Sequence, residues 1–200
     1  MIIGVDIDGV LTDLLKSIKK EYKKFAKLKN GNVAINKKAK SLSEYFGVSR
    51  EQDDEFFKNY NWIYAENAKY YKSAKKYINL LRSEGHKVYI VTARAYAGED
   101  NELGERMRYL VESSLKNEGI CYDKIFYTSK LKNKLPVIEE NGIDVFIDDA
   151  YWNIEALSSI VPVICYSQVY NSTYYRENLM RAKNWKEVYK HIKNLNKEVV

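Results

Sequence analysis

The chain opens with Met1-Ile-Ile-Gly-Val-Asp-Ile-Asp-Gly-Val-Leu-Thr-Asp13, a stretch that leaves few folds open to the remaining residues. Ile2, Ile3 and Val5 make a short apolar, β-branched run, which predicts a buried strand. Asp6 and Asp8 come next, at a spacing of two. In an extended chain residues i and i+2 point the same way, so both carboxylates face one spot at the strand's carboxyl end. Gly9 permits a sharp turn there, and Thr12 or Asp13 can cap a helix after it. In open α/β sheets, ligands bind at the carboxyl ends of strands. Two carboxylates held together repel each other unless a metal ion or a proton intervenes. Ordinary turns also place Asp and Gly at strand ends, so the stretch speaks for function only in company.

That company comes from the rest of the chain. Leu14, Leu15, Ile18, Tyr22 and Phe25 recur at helical spacing, predicting an amphipathic helix over 12–30 that ends at Asn30-Gly31. Ser41–Phe46 reads as a short helix ending at Gly47. Ser49 with Gln52 fits a capping box before an aromatic-rich segment, 42–64. Seven aromatic residues in that segment predict the core of a small subdomain. From Ser73 the pattern becomes helix then strand: a helical face of Ala74, Tyr77, Ile78, Leu80 and Leu81, a stop at Gly85, and a strand at Val88–Thr92. Three further helix-to-strand units lead to strands at 124–128, 144–147 and 162–166, and a helical tail is expected over 173–195. Five strands with intervening helices predict a doubly wound, five-stranded parallel sheet in a three-layer αβα sandwich. The expected division is a core of 1–13 and 73–200 with a small helical cap, 14–72, inserted after the first strand.

Bulk properties exclude several classes. The 200 residues are 46% apolar and 30% charged, as in a globular chain with a sizeable core. No stretch nears the roughly 20 apolar residues needed to span a bilayer. A secretory leader pattern is absent at the start, and two cysteines, Cys121 and Cys165, sit in separate predicted strand regions and are expected as buried thiols in a reducing compartment, so a cytoplasmic location is expected. Neither cysteine has an Arg six positions on, so a Cys-x5-Arg phosphatase is not supported. The net charge of +6 is concentrated: Lys16 to Lys40 holds ten lysines and one acid. The seven of them within the first helix fall opposite its apolar face, so a solvated face is expected rather than a nucleic-acid site. The spacing of Gly4 and Gly9 imitates a phosphate-binding loop, but Val10-Leu11 stands where Lys-Ser/Thr is required.

Polar residues gather at the predicted strand ends. The first strand supplies Asp6 and Asp8; the second Thr92, with Arg94 two residues beyond; the fourth Asp148 and Asp149, with Asn153 a helical turn later. Lys130, Lys132 and Lys134 precede the fourth strand. Acids, a hydroxyl and a lysine converging in this way suit phosphoryl transfer assisted by Mg²⁺, which favours oxygen ligands and uses carboxylates, water and substrate phosphate. A carboxylate can also form an acyl-phosphate and so split hydrolysis into two easier steps.

With these residues in order, the sequence resembles the haloacid dehalogenase superfamily. Asp6-Ile-Asp-Gly-Val-Leu-Thr12 matches its first motif, Thr92 in Ile-Val-Thr-Ala-Arg its second, and Asp148-Asp149 in Phe-Ile-Asp-Asp its fourth. The resemblance implies a Rossmannoid core and assigns roles. Asp6 would be the nucleophile, and Asp8 would protonate the leaving alkoxide and then activate water. Thr92, Arg94 and the third-motif lysine would bind substrate. Asp6, Asp8 (through its carbonyl), Asp148 and Asp149 would hold Mg²⁺. Lys134 is taken as the third-motif lysine because it begins the helix leading to Asp148, with Lys130 as the alternative.

The small cap, the run Ile147-Asp-Asp-Ala-Tyr-Trp-Asn-Ile-Glu-Ala-Leu157 and the later Lys-Asn-Trp-Lys-Glu-Val-Tyr segment resemble the cytosolic deoxynucleotidase-like branch. That implies a nucleoside monophosphate as substrate, with Phe46, Phe57 or Trp62 able to stack its base. A phosphatase for a sugar phosphate or a nucleic-acid end, and a non-catalytic phosphate- or metal-binding protein, remain as alternatives.

Overall fold

The computed structural model describes residues 1–31, 34–128 and 134–198. Strand β1 (Ile2–Val5) is followed by helices α1 (Leu14–Asn30), α2 (Leu42–Phe46), α3 (Arg50–Asn67) and α4 (Lys72–Ser83). The chain then alternates through β2 (Lys87–Thr92), α5 (Glu102–Glu118), β3 (Lys124–Tyr127), α6 (Lys134–Glu140), β4 (Val145–Asp148), α7 (Tyr151–Leu157) and β5 (Val163–Tyr166). A 3₁₀ turn (Val169–Asn171), β6 (Met180–Ala182) and α8 (Trp185–Glu198) complete it.

The strands form one parallel sheet in the order β3-β2-β1-β4-β5-β6. The sheet therefore has six strands, one more than expected. β6 lies where the sequence predicts a continuous helical tail, because Met180–Ala182 pairs with Ile164–Tyr166 along the sheet edge and the helix starts only at Trp185. Three residues are too few for a period-2 signal to register.

Apolar residues cover both faces. Ile3, Val5, Val145 and Ile147 pack with Ile78 and Leu81 of α4, Met107 and Val111 of α5, and Trp185, Val188 and Ile192 of α8. On the other face Tyr89, Val91 and Phe146 pack with Ile138 of α6 and Ile154 and Leu157 of α7. This is the three-layer sandwich the alternating pattern predicts.

Helices α1 to α3 share a separate core of Leu14, Ile18, Tyr22, Phe25, Phe46, Phe56 and Tyr64. Tyr22 stacks on Phe46 with ring centroids 4.2 Å apart. The lysines of α1 face solvent, as the amphipathic pattern requires. Asp13 caps α1 by accepting from the Lys16 amide at 3.0 Å, and the Ser49–Gln52 capping box forms at the start of α3. The chain leaves and re-enters the sandwich along adjacent segments: the Asp13 amide donates to the Lys69 carbonyl at 2.7 Å and the Tyr71 amide to the Leu11 carbonyl at 2.9 Å.

Cys165 is buried in β5, but Cys121 is exposed, contrary to expectation. It precedes β3 in the turn after Gly119 rather than lying within the strand. Among the described residues, no helix is long and apolar enough to cross a membrane.

Candidate active site

The sheet order decides where polar strand ends meet. From β1 the chain moves outward through β2 to β3, then returns to β4 on the opposite side of β1. The crevice between β1 and β4 is the switch point at which open α/β sheets bind ligands. Val5 pairs with Ile147, so the next residues, Asp6 and Asp148, leave the sheet side by side. The Asp6 amide continues the ladder by donating to the Ile147 carbonyl at 3.0 Å.

Beyond Asp6 the chain turns tightly, with the amides of Leu11 and Thr12 donating to the Ile7 carbonyl at 2.9 and 3.0 Å. Gly9 sits at φ +82°, and a Cβ there would run into the Asp149 carboxylate and the Tyr170 hydroxyl. Only glycine fits this close approach without strain. Thr12 does not cap α1; its hydroxyl donates to the Ile7 carbonyl at 3.1 Å and lies 2.8 Å from the Tyr64 hydroxyl.

Asp6, Asp148 and Asp149 are buried, and each offers a carboxylate oxygen within 4.8 Å of the others. Lys134, only 1% exposed, reaches between two of them: its Nζ lies 2.8 Å from Asp6 Oδ1 and 2.8 Å from Asp148 Oδ2. Asp148 also accepts from the Ala150 amide and the Asn153 side-chain amide, both at 2.8 Å. Burial raises the Asp6 carboxyl to about 7; Lys134 pulls it down while Asp148 and Asp8 push it up. Asp149 is pushed well above the carboxylate range by burial and by the charges of Asp148 and Asp6. Burial works against the Lys134 charge, but Asp148 and Asp6 outweigh it and the ammonium is held above its ordinary value.

Three acids with one lysine leave the cluster short of positive charge. The Asn153 Oδ1 beside it is buried and has no partner among the described residues. An excess of hard oxygen donors in a buried, anionic setting fits a divalent cation.

Asp8 lies to one side with its side chain 26% exposed. Arg94 grips both its oxygens, with Nε 3.2 Å from Oδ2 and Nη2 on Oδ1. The Tyr64 hydroxyl donates to Oδ1 at 2.5 Å, and the Arg94 guanidinium lies over the Tyr64 ring, 4.8 Å from its centroid. Arg94 Nη1 is buried with no partner among the described residues. Thr92 closes β2, buried, and its hydroxyl accepts from the Arg94 amide at 3.3 Å.

The structure thus brings Asp6, Asp148, Asp149 and Lys134 into direct contact or close approach and places Asp8, Arg94 and Tyr64 in one contact group. Lys130 and Lys132 lie outside the described residues. Two side chains that touch the carboxylates escape sequence reasoning: Tyr64, which helical spacing assigns to an aromatic core, and Tyr170, which donates to Asp149 Oδ2. Of the rings expected to stack a base, Phe46 is fully buried against Tyr22, whereas Phe57 and Trp62 are half-buried. Trp62 is stacked on Tyr96 with the Arg106 guanidinium over it.

The chain matches, over residues 1–198, the family described as 5' nucleotidase, deoxy (pyrimidine), cytosolic type C protein. A nucleotidase of Clostridium acetobutylicum is 29% identical over 194 residues, covering 94% of this chain and 91% of the relative. Among solved structures, a predicted phosphatase from Clostridium acetobutylicum superposes with a TM-score of 0.62 at 19% identity, covering 96% of this chain and 98% of that one. A haloacid dehalogenase-like protein from Streptococcus pneumoniae gives 0.61 at 16% identity, covering 96% and 97%. At such identities the structural likeness speaks for the fold, while the family match spans nearly the whole chain. The chain has the fold of haloacid dehalogenase-like proteins and belongs to the cytosolic type C 5'-nucleotidase family.

Proposed function

We propose that this protein is a Mg²⁺-dependent phosphomonoesterase that acts on nucleoside monophosphates through an aspartyl-phosphate on Asp6. The observation that carries this reading is the buried group of Asp6, Asp148 and Asp149 with Lys134 between the first two. The three carboxylates, with the Asp8 carbonyl that the family resemblance adds, would hold the cation. Bound there, Mg²⁺ would offset the repulsion between an acidic site and a phosphate dianion.

The chain's own groups then account for the chemistry. Lys134 favours the ionised form of Asp6, leaving a carboxylate oxygen able to attack phosphorus. As the Asp6–phosphorus bond forms, the bond to the leaving alkoxide breaks, and Asp8, which must enter the step protonated, gives that oxygen a proton. Asp8, now ionised, takes a proton from the water that attacks the phosphoryl group, releasing inorganic phosphate and restoring Asp6. Lys134, Thr92 and Arg94 bind phosphoryl oxygens. Helices α1 to α3, with their connections over residues 14–72, serve as a cap over the strand ends. The nucleoside substrate is supported by the family and by the relative named a nucleotidase. A cytoplasmic location is supported by two cysteines that stay unpaired.

The test is phosphate release from a panel of nucleoside monophosphates, sugar phosphates and phosphorylated oligonucleotides, with and without Mg²⁺. The reading expects Mg²⁺-dependent release that ranks nucleoside monophosphates first and disappears in Asp6→Asn. A panel led by sugar phosphates would discard the nucleotidase, and release that survives Asp6→Asn would discard the mechanism.

A further inference from the structure

Asp149 is the one carboxylate of the buried trio that Lys134 does not touch among the described residues. Its partners come instead from the segment after β5. The Tyr170 hydroxyl donates to Asp149 Oδ2, and the Asn171 side-chain amide donates to the Asp149 carbonyl at 2.7 Å. Asn171 is itself fixed: its amide also reaches the Tyr166 carbonyl at 3.0 Å, and its Oδ1 accepts from Arg181 of β6 at 3.1 Å. Next in line, Gln168 donates to the Gly9 carbonyl at 2.5 Å, tying the same turn to the segment that carries Asp6 and Asp8.

Tyr170 is anchored from the other side as well. Its ring is 4% exposed and packs in the core formed by α1 to α3, the core that also holds Tyr64. Thr173, three residues on, donates to the carbonyls of Lys38 and Ala39 at 3.0 and 3.1 Å. In this pair the phenol is the donor and the carboxylate oxygen the acceptor. The absence of a Cβ at Gly9 is what lets carboxylate and phenol meet there.

We propose that Tyr170 is a positioning residue for a divalent cation: by fixing the Asp149 carboxylate from the α1–α3 core, it sets the site's metal affinity. This rests on the metal site proposed above. A carboxylate held in one orientation loses less freedom when it binds a cation, and removal of such an outer partner costs about 10–100-fold in metal affinity. Because Tyr170 belongs to the α1–α3 core, cation binding and the packing of that layer are linked, and the linkage is reciprocal.

The test is calorimetric titration of Mg²⁺ into the full chain freed of metal, without substrate. Tyr170→Phe keeps the ring and removes only the hydroxyl, and is expected to raise the Mg²⁺ dissociation constant about 10–100-fold. Tyr174→Phe is the control, since that buried hydroxyl has no partner among the described residues. It should leave the constant within about twofold of the wild type, well below the effect of a lost carboxylate partner. Thermal unfolding in chelator checks packing. A Tyr170→Phe chain that binds Mg²⁺ as tightly as the wild type, whether or not its unfolding midpoint falls, would overturn the role of Tyr170 alone. No Mg²⁺ binding by the wild type, or binding that Asp148→Asn leaves untouched, would overturn the metal site and this inference with it.

Discussion

Lys134 and Asp6 are 128 positions apart in the chain, yet the lysine Nζ lies 2.8 Å from Asp6 Oδ1 and equally close to Asp148 Oδ2. One ammonium therefore serves two buried carboxylates at the crevice between β1 and β4. It is the counter-charge that lets the strand ends be acidic and buried together.

Replacing Lys134 should accordingly have two separable effects. Lys134→Ala leaves Asp6 and Asp148 without that cation, and breaking such a buried pair costs about 3–5 kcal/mol. Urea unfolding of the metal-free chain should show that loss. Phosphate turnover should fall about 100-fold or more, as when a charge-stabilising donor is removed from an active site. Turnover close to that of the wild type would remove Lys134 from the site.

Gly9 and Gly85 offer a controlled comparison. Both have positive φ, +82° and +87°, but a Cβ on Gly85 meets nothing within 4 Å while one on Gly9 strikes Asp149 and Tyr170. Gly85→Ala should cost only the left-handed backbone strain, about 1–2 kcal/mol, and keep its activity. Gly9→Ala should cost more and lose phosphate release. Equal losses in denaturant midpoint would mean that the close approach at Gly9 carries no weight.

Tyr64 donates to Asp8 Oδ1 at 2.5 Å from α3. If Asp8 protonates the leaving group, its orientation matters most for poor leaving groups such as a nucleoside alkoxide. Tyr64→Phe should lower kcat for a nucleoside monophosphate about tenfold, the worth of a hydrogen bond to a charged group. Its effect on p-nitrophenyl phosphate, whose leaving group needs no proton, should be smaller. A loss that is the same for both substrates would assign Tyr64 to packing.

In the α1–α3 core, burial raises the Asp53 carboxyl to about 6, against the hydrogen bond it accepts from Tyr22 and with the charge of Asp54 adding to the rise. The native state thus binds more protons than the unfolded state between these pKa values. The stability from this group is complete below about pH 4 and falls as pH rises to about 6. Asp53→Asn removes that slope. The difference in urea midpoint between wild type and variant, tracked across this range, should therefore shift in favour of the variant as pH rises. A difference that stays constant would show that Asp53 does not titrate as described.

Much of the architecture is legible in the sequence because it is local. The β-branched run before Asp6, the helical spacing of Leu14 to Phe25, and the Ser49–Gln52 box each act over a few residues, and each forms the element its pattern predicts. The candidate site is legible in part because acids at i and i+2, or at a strand end, announce themselves by spacing. The register that puts Asp6 beside Asp148 is not written in either strand; it comes from β4 returning to pair with β1. Tyr64 and Tyr170 escape because their rings obey the rules of a core while their hydroxyls meet carboxylates 56 and 21 positions away. Cys121 escapes for the opposite reason: its apolar neighbourhood suggests a strand, but the chain there is still turning towards β3.

The central claim is that Asp6 carries the phosphoryl group and Asp8 helps to remove it. Its most direct test is the mass of acid-quenched protein during turnover of the best nucleoside monophosphate, with the modified peptide sequenced. The account predicts that one phosphoryl group is found on Asp6, that it accumulates in Asp8→Asn, where water is not activated, and that it is absent from Asp6→Asn. A chain that releases phosphate at full rate while never carrying a phosphoryl group on Asp6, in wild type or Asp8→Asn, would contradict it.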